Sequence, residues 1–376
     1  MKIWAIVFLL PFALLVGCGS TMTHAPAPLA PLATTDAPSF AEVWRVKLKS
    51  RIEFPFQISV AGQNLAVADS AGDVFMLSAV DGAEVWHTKV GDELSSGVGF
   101  NGQVAAVTTS NNDLVVLDAT AKGVILWKKN IRSHVFTTPL IAGGRIFILA
   151  ADHSVQAFDA ATSVQLWNLK RPSEPLTLSQ IGTLGVYRNT LLVGGSGRLL
   201  GVNPDNGQVQ WETSVATTRA TNDIESLVDL VGTPNRVGDS VCVRAYQAAI
   251  ACVDASKGST TWSKNTQGSV GISGDAATLI STESDGRVKS WNRATGDLLW
   301  TNDKLSYRGL SAPLMVGSSI VVGDADGYVH IMNKDNGQFK ARFKTDSSAI
   351  IAAPVVSGSL VFVATARGRI FAYSPK

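Results

Sequence analysis

The sequence predicts an all-β fold, an eight-bladed β-propeller with four antiparallel strands in each blade, and three observations carry that expectation. A strand ending in an apolar residue and then a polar one recurs at Leu77-Ser78, Leu117-Asp118, Phe158-Asp159, Val202-Asn203, Val253-Asp254, Trp291-Asn292, Met332-Asn333 and Tyr373-Ser374. A tryptophan follows 9 residues after the strand end, or 10 in the second unit, as Trp86, Trp127, Trp167, Trp211, Trp262 and Trp300, with Ala341 in the seventh place. The chain ends are complementary: after Tyr373-Ser374 only Pro375-Lys376 remain, while a surplus strand, Ala41-Glu42-Val43-Trp44-Arg45-Val46, precedes the first complete unit. Pairing that leading strand into the last blade closes the ring and removes two exposed sheet edges.

Each unit of about 40 residues alternates β-branched and polar runs with tight turns such as Asp285-Gly286 and Asp326-Gly327, the pattern of a four-stranded blade. A glycine stands four residues before most of the tryptophans: Gly82, Gly123, Gly207, Gly258 and Gly296, and Gly337 before Ala341. A β-sandwich would not fix a Trp at one offset. Recurrence at one structural position assigns these indoles to packing between blades, with the N–H bonded, rather than to a row of substrate-binding aromatics.

Composition narrows the function. Of 376 residues, 45% are hydrophobic and 16% charged, and the net charge is +2. A large core is expected, and no concentrated charge exists for nucleic acid to bind.

The N-terminus reads as an export and anchoring device. Met1-Lys2 precedes the apolar stretch from Ile3 to Val16, short for a bilayer span and suited to a signal peptide. Its ending, Leu15-Val16-Gly17-Cys18, resembles the lipobox of bacterial lipoproteins. That resemblance implies cleavage after residue 17 and lipidation of Cys18, and Gly19 in place of Asp favours the outer membrane of a Gram-negative envelope. Residues 18–39, with Pro26, Pro28, Pro31 and Pro38, read as a Pro/Ala-rich tether, and 40–376 as the propeller.

No catalytic, metal or cofactor motif is expected. The five histidines, His24, His87, His134, His153 and His330, lie in different units without a paired spacing and suit surface or edge roles. Gly194-Gly195-Ser196-Gly197-Arg198 and Asp324-Ala325-Asp326-Gly327 read as hairpin turns, not as phosphate or calcium loops. Cys242 and Cys252 fall on consecutive strands about a turn centred on Gln247; a cross-strand disulfide and two buried thiols both fit.

Irregular spacing points to function. Successive strand ends are separated by 40, 41, 44, 51, 38, 41 and 41 residues. The fifth unit therefore carries an insertion within Ala216 to Pro234, and the fourth a smaller one around Arg171 to Ser179. Long loops on a rigid ring are the usual place for binding, and these two present Leu176, Leu178, Leu227, Val228 and Leu230.

The lipobox, the tether, the Asp-x-x-x-Gly-x-x-x-Trp units and the fifth-unit insertion together resemble the BamB family, the lipoprotein propellers of the outer-membrane β-barrel assembly (Bam) machinery. The repeat alone is shared with quinoprotein dehydrogenases. Asp223-Ile224-Glu225-Ser226-Leu227-Val228-Asp229-Leu230-Val231-Gly232-Thr233-Pro234 and the segment Val322 to Tyr328 are more specific. The resemblance implies a non-enzymatic scaffold, monomeric within a hetero-complex, that binds the periplasmic POTRA domains of BamA and assists unfolded outer-membrane proteins. The family's Leu-x-Leu-Arg contact maps to Leu176 and Leu178, with Ser179 in the Arg place. Its Asp-x-Asp maps to Asp229, with Val231 for the second Asp. A quinone-dependent periplasmic dehydrogenase and a cell-wall glycan-binding lipoprotein are the competing readings.

Overall fold

Blade 1 shows how each sheet is built: Ser59–Ala61, Asn64–Ala68, Asp73–Ser78 and Glu84–Lys89 pair in sequence order, antiparallel throughout. The second and third strands are almost wholly buried, whereas the fourth alternates exposed and covered residues. A blade is sandwiched between two neighbours, so its middle strands bury both faces and read as continuous apolar runs. The computed structural model describes residues 24–32, 40–53, 55–171, 178–216 and 228–375, and it contains eight such four-stranded sheets.

The expected closure is present. Phe40–Lys47 forms the outermost strand of blade 8 and pairs with Arg369–Pro375, Trp44 lying opposite Ala372. Trp44 is buried, stands 5.5 Å from the Phe362 ring and donates its indole N–H to the Ala79 carbonyl of blade 1 at 3.2 Å. The same bond to the next blade recurs from Trp86, Trp127, Trp167, Trp262 and Trp300.

The glycine of the repeat lies under the preceding blade's indole. At Gly82, φ is +73° and an added Cβ would fall 2.6 Å from the Trp44 ring. Blade 3 uses Ser163 there, with φ 64°. The lack of a seventh tryptophan now has a reason. Blade 8 has chain ends where other blades have a turn between third and fourth strands, so no glycine turn needs covering. Buried Ala341 packs with Phe40 and Tyr373 instead.

Strand direction fixes two faces of the disc. Turns between second and third strands share one face with the blade-to-blade connections, and the remaining hairpins occupy the other. Cys242 and Cys252 sit directly opposite each other in blade 5 and are joined as a disulfide, with Cα atoms 4.0 Å apart.

One sequence expectation needs correction. His330 is not at the surface: it is fully buried, 2.9 Å from Asp324 through Nε2, while its Nδ1 accepts from Arg342 Nε at 3.2 Å. Neutral imidazole suits this donor-acceptor pattern, and burial holds its pKa below the ordinary value. Part of the Pro/Ala-rich segment lies against the ring. His24 stacks on Tyr307 with ring centroids 4.4 Å apart, and Ala27 N donates to Ser306 O at 2.9 Å. Arg308 Nη1 donates to Ala27 O and Arg342 Nη1 to Ala30 O, each at 3.0 Å. A Pro-rich segment has few amide donors of its own, and the two arginines take up the carbonyls it leaves unpaired.

Candidate functional site

The two irregular connections meet on the connection face. Thr183 N donates to Leu230 O at 3.2 Å, Gly232 N to Ile181 O at 2.9 Å, and Gly182 bridges Val231. The chain entering blade 4 therefore runs alongside the chain entering blade 5. Arg171, at the stem of the first loop, makes two bonds to Glu212, at 3.0 and 3.1 Å.

Asp229 is the hub. One carboxylate oxygen lies 3.0 Å from His153 Nε2 and accepts from Ser196 N at 3.0 Å, and the Leu178 amide also donates to the carboxylate. This side chain thus links the turn of blade 3, the turn of blade 4 and both irregular loops. Burial pushes the Asp229 pKa up, but the His153 bond and charge and the two amides outweigh it and hold the carboxyl below its usual range. The Asp229 bond in turn raises His153 above the ordinary histidine value, against desolvation.

His153 is the residue that sequence reasoning missed. It occupies the fourth place of the turn between second and third strands, where blades 1, 6, 7 and 8 have Gly72, Gly286, Gly327 and Gly368, all at positive φ. Holding a histidine there at φ 58° strains the backbone. A lone histidine in a glycine place, read against the repeat, was the available signal.

Of the sequence-predicted contact residues, Leu178, Asp229 and Val231 are brought together, and all three line a narrow cleft with Phe136, Leu149 and Leu230. Its volume of about 30 Å³ is far below the several hundred Å³ of a cofactor or drug-sized site. Ser179 is exposed beside it. Val231 is buried, only 3% exposed and paired opposite Arg244, so its side chain holds the loops rather than facing outward. Cys18, Leu176 and Leu227 lie outside the described residues.

The central funnel is another concavity. Gln57, Gln180, Thr233 and Ser269 supply its polar lining among aliphatic residues, without a carboxylate. The geometry is that of an eight-bladed propeller with a stitched, partly apolar loop cluster at blades 3 to 5.

Comparison with known proteins agrees. The family model described as outer membrane protein assembly factor BamB matches residues 31–94 and 70–302. The BamB proteins of Burkholderia pseudomallei and Bordetella pertussis are 32% and 30% identical over 89% and 88% of this chain, covering 88% and 86% of their own lengths. The crystal structure of BamB from Moraxella catarrhalis superposes with a TM-score of 0.82 at 26% identity, over 89% of this chain and 99% of that one. The chain belongs to the BamB family of outer membrane protein assembly factors. A europium-containing methanol dehydrogenase, 11% identical at a TM-score of 0.71 over 89% of this chain and 93% of its own, shares the fold alone.

Proposed function

We propose that this chain is a non-enzymatic, lipid-anchored scaffold of the Bam complex that uses the blade 3–5 loop cluster to bind the POTRA domains of BamA. Cys18 carries the lipid, the disc faces the periplasm, and unfolded outer-membrane proteins are the clients of the assembled machinery. The observation that carries this reading is the Asp229 hub, which joins both irregular connections into one surface. Leu178 and Ser179, with Leu176 and Leu227, supply the contact. Asp229 and Val231 set its shape. Residues 178–183 and 228–232, held together by such bonds, lose little conformational entropy on binding.

The test is co-purification of BamA with the protein from detergent-solubilised membranes. Leu178→Asp places a charge in the cleft lining, and loss of a central apolar anchor weakens an interface by about 2 kcal/mol, roughly thirtyfold. BamA recovery should fall accordingly while the thermal midpoint stays near wild type. Undiminished recovery with the variant excludes Leu178 from the interface, and absence of BamA from the wild-type preparation overturns the proposal.

A further inference from the structure

A second feature of the connection face lies across the ring from the loop cluster. Where blades 7, 8 and 1 meet, an open recess of about 580 Å³ is lined by Lys47, Lys49, Arg51, Arg367 and Arg369, with Asp346 as its carboxylate. That carboxylate is already engaged: Ser348 Oγ donates to it at 2.6 Å and Thr365 Oγ1 at 3.0 Å, and its side chain is only 5% exposed. Arg369 stands 3.9 Å away, and Arg367 Nη1 donates to the Asp346 backbone carbonyl at 3.0 Å. Lys49 reaches Asp73 at 3.4 Å. Lys47 and Arg51 are exposed and their side chains have no partner among the described residues. Five cations therefore converge on a space whose one acid is turned inward, in a chain whose net charge is only +2.

The leader reaches the same sector. Arg342, which binds Ala30 O, precedes the recess residue Asp346 on the strand Phe339–Lys344 and its continuation. Arg308, which binds Ala27 O, is aimed by Asp324 through Nε at 2.7 Å and by Asp326 through Nη2 at 2.7 Å. The docked stretch includes His24. That residue lies six positions after Cys18 in the sequence, a reach of about 20 Å when fully extended. Without docking, the leash would run to Phe40.

We propose that this basic recess binds the phosphate of anionic phospholipid headgroups, so that the blade 7–8–1 sector of the connection face lies against an anionic bilayer surface. The docked leader holds that sector toward the membrane. The loop cluster at blades 3 to 5, across the ring, is thereby directed away from the bilayer. The inference shares with the proposed function only a lipidated Cys18, and the test removes that lipid.

The mature chain, from residue 18 onward and carrying Cys18→Ser, is sedimented with vesicles of phosphatidylcholine alone or of equimolar phosphatidylcholine and phosphatidylglycerol. Binding is expected only to the anionic vesicles, weakening as salt rises. Juxtamembrane cations contribute about fivefold each, so Arg51→Gln with Arg367→Gln should lower the partition coefficient about thirtyfold. Lys122→Gln with Lys257→Gln, on the opposite face, should leave it unchanged. Equal binding by the two double variants, no binding of the parent chain to anionic vesicles, or binding of inorganic phosphate at the recess without vesicle binding would each overturn the proposal.

Discussion

Trp44→Ala tests ring closure most directly. The indole is 8% exposed, caps the Gly82 turn of blade 1, and bonds Ala79 O across the seam between the chain ends. Removing such a buried aromatic costs about 3–5 kcal/mol through lost transfer energy and the cavity left behind. At about 2.1 cal/mol/K per residue over roughly 330 residues, the unfolding entropy is near 0.7 kcal/mol/K, so the midpoint should fall by about 4–7 °C. Trp86→Ala is the comparison, because Trp86 makes the equivalent bond to Ala119 O at 3.0 Å from a strand continuous with its own blade. Both variants should lose similar stability by calorimetry. Only Trp44→Ala should also release the first strand to proteolysis near Phe40–Lys47, since that strand is held to blade 8 by no hairpin. A midpoint within about 1 °C of wild type, or identical proteolysis of the two variants, would refute the closure argument.

Two further outcomes follow from particular bonds. The Cys242–Cys252 disulfide closes a separation of 10 residues, for which the chain-entropy relation gives about 2.7 kcal/mol; denaturant unfolding with reductant should show an unfolding free energy lower by that amount and a correspondingly lower midpoint, and an unchanged midpoint would show that the bond contributes nothing. The His153–Asp229 pair predicts a pH window. The His153 pKa is raised from 6.5, so its contribution is complete below about pH 6.5 and is lost as pH climbs through the raised value. The Asp229 pKa is lowered from 3.8, so its contribution is present above about pH 4 and is lost as pH falls through the lowered value. Hydrogen exchange at the Ser196 amide, corrected for its intrinsic rate, should therefore show more protection near pH 6 than near pH 9, and Asp229→Asn should remove the difference. Equal protection at both pH values in the wild-type protein would be incompatible with the pairing.

Repetition made the fold legible. A fixed Trp offset, a glycine four residues earlier and complementary ends are each local signals, and together they specify blade number and closure. What a repeat cannot reveal is which unit departs from its siblings for a purpose. His153 in a glycine place and Asp229 within an insertion are separated by 76 residues, and only the ring brings them within bonding distance. The same holds for the leader: Arg308 and Ala27 are 281 residues apart, and Arg342 and Ala30 are 312 apart. Composition marked residues 18–39 as a tether because it lacks core-forming residues. It could not show that arginines fixed by Asp324 and His330 would receive its carbonyls. Arg244, fully buried and 3.3 Å from Glu283, was equally hidden, since nothing in a strand of alternating residues announces a buried ion pair.

The departure at Val231 has a physical cause that bears on how the loop cluster works. Residue 231 is a bridge position: it pairs with Gly182 on one side and Arg244 on the other, and its side chain is 3% exposed. A carboxylate there would be desolvated, and the nearby Arg244 guanidinium is already committed to Glu283, which also accepts from Gln267 N at 2.7 Å and Ser281 Oγ at 2.9 Å. An aspartate at 231 would thus enter as an unpaired buried charge, which is strongly unfavourable. Valine lets the strand entering blade 5 be pulled under the connection entering blade 4, and Asp229, two residues earlier, then lies where His153, Ser196 and the Leu178 amide can all reach it. The acid that organises the loops and the apolar residue that anchors them are consequently a matched pair: restoring Val231→Asp alone should loosen the cluster, and Ser196 protection would fall with it.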